Sequence, residues 1–436
     1  MFHHPGRPAA PRRPGGRHTD GVPRQPATEE PRPAASEEPR PLTRIALAGS
    51  CAGFVVIGAL QALYGPAIPA FREKFGVTPA VAGLGLSADF AGALIGIVGY
   101  HLLARRGIRD RSLLAISYTV MAVGTVGFAL APSWSLALVA ALVTGFGSGG
   151  IDYGLNHLFT FSYGRRSAGM LNLLNAYFGV GAVIGPALIG WVGAARYPWL
   201  FGAVALSSVL LVPTLRGVHP RPPAVPSGES PSELSNDASP GPGPQRRSIG
   251  LIVVAFVALY VLYVAIESGV GGWEPTHLEA VGYSATVAAT ATAAFWLALT
   301  VGRFLAVPIS LRWPAPAIVT VCCAGMAVFL GLATIPSAAP WAYGGLGFMC
   351  APIWATGLPW LARAAPRVAA ASAYVMATSM LGGIAFPPLL GRAIEVAGVR
   401  SVPLLLGVVA VLCTGLSLWL RRTTRTGPAR PARSGR

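Results

Sequence analysis

The chain has 436 residues, 53% of them hydrophobic and only 11% charged; soluble domains carry about 25% charged residues, so the composition excludes an ordinary soluble protein. The formal net charge of +17 does not point to nucleic acid, because the arginines stand in short segments between long apolar runs rather than on one binding face. Five cysteines (Cys51, Cys322, Cys323, Cys350 and Cys413), an odd number, lie within apolar runs with no CxxC pair, so neither a disulfide framework nor a metal site is indicated and they read as small buried hydrophobes.

Residues 1–43 are rich in Pro, Arg, Glu and Ala, without the apolar core of a signal peptide, and are expected to form a disordered tail in which His3 and His4 have no matching ligands. From Ile45 the pattern changes. A membrane-spanning helix needs about 20 mostly apolar residues. Twelve such segments follow, at roughly 45–69, 79–102, 112–132, 135–159, 168–192, 197–216, 249–271, 285–307, 315–335, 340–361, 368–391 and 401–420. Between the sixth and seventh lies a Pro/Ser/Gly-rich polar stretch that cannot bury a core. The expected architecture is therefore an all-α integral membrane protein. It comprises a first six-helix bundle (44–217), a linker (218–247), a second bundle (248–421) and a short tail (422–436).

Arginine placement sets the orientation. Arg105, Arg106, Arg109, Arg111, Arg165, Arg166, Arg312, Arg363, Arg367, Arg421 and Arg422 fall on one side with the N-terminal tail and the linker; the other side holds little beyond Arg72, Lys74, Arg196, Arg392 and Arg400. By the positive-inside rule both termini and the linker are expected in the cytoplasm. The halves also repeat. Gly181, Pro186 and Gly190 in segment five recur as Gly382, Pro387 and Gly391 in segment eleven, each 201 residues on (387 − 186 = 201). Two six-helix halves of this kind are an arrangement of secondary transporters.

Several polar groups interrupt the apolar runs. In segment two, Asp89 stands mid-span, where a carboxyl is costly, and is a candidate for protonation. In segment four, Asp152, Asn156 and Thr160 follow i, i+4, i+8 spacing and form one stripe behind Gly145, Gly147, Gly149 and Gly150. The stripe suits a solute or cation site in a central cavity; interhelical hydrogen bonding is the alternative. Segment five places Asn172 and Asn175 on one face, with the same two readings, and Pro186 removes a backbone bond where a gating helix would bend. In segment seven, Tyr260, Tyr263 and Glu267 share a stripe, and the glycines at 269, 271 and 272 followed by Trp273 read as a loosened helix end with an interfacial anchor. Glu267 is then either a solute or cation ligand or a solvated end-of-helix charge. Segment eight aligns Trp296, Thr300 and Arg303, the last positioned to snorkel.

No GxxxxGK[ST] is present for an ATP-driven pump, and HExxH and GxSxG are absent. No filter-like loop separates two helices. No cofactor, metal or nucleic-acid partner is expected; the expected partners are a small-molecule substrate, a proton or sodium ion, and the lipid bilayer, with the protein a monomer.

The six-plus-six layout with a polar linker resembles the major facilitator superfamily. Within it, the run from Gly147 through Asp152 to Asn156, followed by Leu171-Asn172 through Phe178 to Gly181, resembles the fucose permease-like sugar:cation symporters, as do Glu267 through Trp273 and Gly302-Arg303. In that group an acid four residues before an asparagine faces the solute cavity; Asp152 and Asn156 hold those positions, with Asp in place of Glu. The resemblance implies a secondary active transporter of the cytoplasmic membrane that moves a small polar solute, a sugar by this resemblance, by alternating access. Asp152, Asn156, Asn172, Asn175, Glu267, Tyr263 and Asp89 are the candidates for solute binding or coupling, and Pro186, Pro387 and Arg303 for gating. The chain departs from that group at Gly65, where the first helix of the permease carries an acid, and at Ala104, where the loop after helix two carries another. The alternative readings are proton-coupled efflux of a drug or natural product, since Gly181-AVI-Gly185-Pro186 resembles a drug-antiporter motif, and a non-transporting receptor.

Overall fold

The computed structural model describes residues 42–163, 166–218, 244–365 and 371–424. The expected disordered tail, most of the linker and the C-terminal tail lie outside the described residues. Twelve α-helices long and apolar enough to cross a membrane occupy the rest, with no strand among the described residues. They are α1 (Arg44–Phe75), α2 (Pro79–Arg105), α3 (Asp110–Leu130), α4 (Trp134–Ser162), α5 (Ser167–Val192), α6 (Tyr197–Leu211), α7 (Pro244–Ala280), α8 (Ala285–Arg312), α9 (Ala315–Ala333), α10 (Ala339–Ala364), α11 (Ala371–Ala397) and α12 (Val402–Thr423). Each coincides with one of the twelve apolar segments.

Local chemistry sets several ends. The Thr43 hydroxyl accepts from Ala46 N at 3.2 Å at the start of α1, and Ser284 accepts from Val287 N at 3.3 Å at the start of α8. α1 ends at Gly76, whose φ of 63° suits a residue without a side chain. Short connections make successive helices antiparallel, so odd helices run away from the side on which α1 begins and α12 ends (the tail side) toward the far side. Exposed tryptophans mark both boundaries. Trp191, Trp199 and Trp341 stand at the far side, and Trp313 and Trp419 at the tail side.

Packing repeats between the halves. α1 packs on α5, α2 and α3 on α4, and α3 on α6; in the same way α7 packs on α11, α8 and α9 on α10, and α9 on α12. The main pairings across the halves are α2 with α11, α5 with α8, and α1 with α7. The hydrogen bonds that cross lie toward the far side. Glu395 Oε1 accepts from Ala80 N at 3.0 Å, capping α2 from α11, and Ser87 donates to the Ile384 carbonyl at 2.5 Å. A Cβ on Gly391 would press on Pro79, and one on Gly83 on Pro387, so the repeat glycine of α11 marks a helix contact across the halves.

One element departs from expectation. α7 does not loosen at Gly269–Gly272 but continues to Ala280, and Trp273 is fully buried, donating to the Pro387 carbonyl at 3.2 Å rather than anchoring at an interface. The glycines are there for close approach. Pro275 has no N–H to offer the Gly271 carbonyl, and Gly65 of α1 lies so close to that carbonyl that a Cβ would overlap it. The backbone of a neighbouring helix thus packs directly on the freed carbonyl. This also accounts for glycine at position 65. α5 and α11 likewise run through Pro186 and Pro387 without interruption.

Candidate functional site

The polar groups of the spans fall into separate sets. On α4, Asn156 Nδ2 donates to Asp152 Oδ1 at 2.9 Å and to the Asp152 carbonyl at 3.0 Å, while Thr160 donates to the Asn156 carbonyl at 2.8 Å. The i, i+4, i+8 stripe is therefore joined along its own helix. Its orientation follows from the glycines around it. Gly147, Gly150 and Gly154 pack on α3 and on Tyr100 of α2, and Gly145 and Gly149 pack on the α2 backbone. Asp152 and Asn156 are left partly exposed on the remaining face. The amide holds one carboxylate oxygen, and the other stays available to a hydroxyl, a cation or a proton.

A second set lies in the other half. Arg303 of α8 places a guanidinium nitrogen 4.0 Å from Glu267 Oε1, with side-chain exposures of 31% and 19%. The arginine turns inward to this carboxylate instead of snorkelling. Glu267 is also no end-of-helix charge, since α7 continues for a further 13 residues (280 − 267), about 20 Å at 1.5 Å per residue. At an effective dielectric near 20, opposite charges 4 Å apart attract by about 4 kcal/mol before desolvation is subtracted. Tyr263 is buried one turn before Glu267, and its hydroxyl is without a hydrogen-bond partner. Tyr260 donates to the Ile353 and Trp354 carbonyls at 3.3 Å, and the Trp354 ring packs on both tyrosines. The Thr300 hydroxyl donates to the Trp296 carbonyl at 2.8 Å and faces Gly179 of α5. One turn toward the tail side of that contact stand Asn175 on α5 and Arg303 on α8.

Asn172 and Asn175 are exposed; Asn175 Nδ2 returns to the Leu171 carbonyl at 2.9 Å. Among the described residues no hydrogen bond joins either asparagine to Asp152 or Asn156. Asp89 stands apart from both sets. It is buried inside the first half, its backbone carbonyl against Gly145 of α4 and its carboxyl beside Tyr64 of α1. Its Oδ1 and the Tyr64 hydroxyl are both buried without a hydrogen-bond partner. Pro186 and Pro387 lie in the far-side halves of α5 and α11, and the Pro387 carbonyl is the acceptor for Trp273.

Sequence reading passed over one group. Glu274, next to Trp273, is fully buried with neither carboxyl oxygen hydrogen-bonded. The only signal was its position three residues after Gly271, in a stretch whose glycines and proline imitate a loop. All five cysteines are buried and free, and among the described residues no group of His, Cys, Asp and Glu is placed to hold a metal ion.

Comparison with known proteins agrees with this architecture. The sequence model of the Major Facilitator Superfamily matches residues 50–346 and again 256–436. Two curated relatives from Bacillus subtilis (strain 168) are similar. The uncharacterized MFS-type transporter YfkL is 26% identical over 243 residues, 52% of this chain and 59% of that protein. The uncharacterized MFS-type transporter YfiU is 29% identical over 151 residues, 34% of this chain and 29% of that protein. The chain thus spans less than two thirds of either relative. Among solved structures, a mutant of the nucleoside transporter NupG aligns with a TM-score of 0.71 at 12% identity, covering 86% of this chain and 100% of that one. A D-xylose-proton symporter gives 0.69 at 16% identity, covering 87% and 98%. An inward-facing, unoccupied bacterial homolog of the human lysosomal transporter Spinster gives 0.68 at 15%, covering 88% and 98%. At these identities the likeness establishes the fold. With twelve spans, an internally repeated packing plan and a family match across most of its length, the chain belongs to the Major Facilitator Superfamily, a family of membrane transporters and not of enzymes.

Proposed function

We propose that this protein is a cation-coupled secondary transporter of a small polar solute, a sugar in the first instance, in the cytoplasmic membrane. The observation that carries the reading is the pair of polar sets, one in each half: Asp152 with Asn156 on α4, and Glu267 with Arg303 on α7 and α8. The bundles 44–217 and 248–421 rock about this level, and the far-side contacts of α2 with α11 and of α1 with α7 form the closed gate. The conformation is then inward-facing, with the tail side, both termini and the linker in the cytoplasm. Asp152 accepts a solute hydroxyl or the coupling proton, and Asn156 orients it. Asn172 and Asn175 contact solute at the mouth, Arg303 fixes Glu267, and the unpartnered Tyr263 hydroxyl beside it is left for solute. Pro186 and Pro387 serve the gate. Asp89, enclosed with Tyr64, is a reserve coupling group rather than a solute ligand.

Structures of sugar and nucleoside transporters share the fold, which supports a polar solute without choosing one. The fucose permease-like motif supports a sugar. Cells expressing the protein, given radiolabelled hexoses and pentoses beside a drug-susceptibility panel, test the reading. Sugar accumulation above background supports it. Unchanged uptake with raised drug tolerance replaces it with efflux.

A further inference from the structure

Neither polar set uses Glu274. The residue is 0% exposed, and both its carboxyl oxygens are buried without a hydrogen-bond partner. Its surroundings come from several elements. On α7, Thr276 is buried with its hydroxyl unpartnered, and His277 is buried with Nδ1 3.1 Å from the Tyr343 hydroxyl of α10. On α8, Thr292 lies beside the carboxyl but donates its hydroxyl to the Ala288 carbonyl at 3.2 Å. Arg400, in the 3-10 turn Val399–Ser401, acts on His277 and not on Glu274. Among the described residues, α1, α11 and α12 bring no charged group against the carboxyl. On α10, the Tyr343 hydroxyl also faces the carboxyl but is engaged with His277, so the carboxyl has neighbouring hydroxyls and no cation. A carboxylate so placed in a membrane helix would cost several kcal/mol; such a group sheds its charge by holding a proton.

Its position ties it to the gate. Trp273 on one side bonds to α11 within the same half, while on the other Pro275 leaves the Gly271 carbonyl to Gly65 of α1 across the halves. Pro275 also lines a small far-side crevice with Pro66, Ile189, Gly190, Glu279 and Ala285, where α1, α5, α7 and α8 meet. Gly269, Gly271, Gly272 and Pro275 give this stretch of α7 the weakest helical backbone in the span, and the acid sits within it.

We propose that Glu274 is a proton-binding site that latches the far side shut, an inference that rests on the alternating-access reading. With the gate closed the carboxyl carries its proton. When the end of α7 parts from α1 across the halves, far-side water reaches it through the crevice. The O–H bond breaks, the proton passes to that water as hydronium, and the carboxylate remains, now able to accept from water. Closing the gate requires the reverse step, so acid on the far side favours closure.

The full-length protein in lipid nanodiscs tests this without a substrate. Infrared spectroscopy should show the carbonyl band of a neutral carboxylic acid near neutral pH, diminished in Glu274→Gln and retained in Glu274→Asp. Spin labels on Glu73→Cys and Ala397→Cys, both exposed far-side positions on opposite halves, should report separation on raising the pH. Glu274→Gln should stay short at every pH, and Glu274→Asp should still respond. The proposal is overturned if Glu274→Gln keeps the parental pH response, if its infrared spectrum matches the parent, if the parent shows no pH response, or if sodium at fixed pH reproduces the opening. Failure of the transport reading looks different: no solute exchange in vesicles, with the pH response of the distance intact.

Discussion

Alanine at position 65 is the most direct mechanical probe of the gate. A Cβ there would overlap the Gly271 carbonyl oxygen and stand 3.2 Å from the Gly272 Cα. Both obstacles are backbone, so no change of rotamer relieves them and α1 must move away from α7. Overpacking of this kind costs about 1–3 kcal/mol. Under the proposed gating the contact is made only with the far side closed, so the cost falls on that state alone and shifts the closed-to-open ratio about 5- to 150-fold toward open. Gly58→Ala is the matched control. Its Cβ would overlap the Phe178 carbonyl of α5, inside the same half, a contact that persists in both states. It should lower thermal stability without moving the gate. The assay is the far-side distance between labels at positions 73 and 397 in nanodiscs, read beside a melting curve. If Gly65→Ala leaves the distance distribution unchanged, or Gly58→Ala opens it equally, then the contact between α1 and α7 is not the gate.

Two further predictions concern orientation and the second polar set. Reporter fusions at residue 230 and at the C-terminus should both read cytoplasm; an exterior signal at 230 would overturn the proposed orientation or the parity of the first half. Glu267→Gln leaves Arg303 without its 4.0 Å ion-pair partner, and should depress transport about tenfold or more at unchanged membrane abundance, whereas full activity would make the pair structural only.

Much of the fold was legible because bilayer thickness fixes helix length. Twelve apolar runs became twelve helices, and the repeated Gly/Pro spacing of segments five and eleven corresponds to a repeated plan of helix contacts. The i, i+4 relation of Asp152 and Asn156 follows from helical geometry alone, and so does their hydrogen bond. What the sequence hid depends on neighbours. Glycines and a proline near the end of segment seven signal a helix end in water, but in α7 they admit Gly65 of α1, and that reversal carried Trp273 from an expected interface into the interior. Arg303 gave the same difficulty. One charge near a span end looks like a snorkelling residue until a carboxylate on another helix is found beside it.

The central claim is that Asp152 couples a cation gradient to solute movement. Asp152→Asn keeps the size of the side chain and a hydrogen bond to Asn156 but cannot change charge. Reconstituted vesicles with an imposed proton gradient and radiolabelled sugar separate the two activities in one preparation. The account predicts that the parent concentrates solute, that Asp152→Asn loses concentration while retaining exchange at equal solute on both sides, and that Asp152→Ala loses both. Concentration of solute by Asp152→Asn to the level of the parent would contradict the claim.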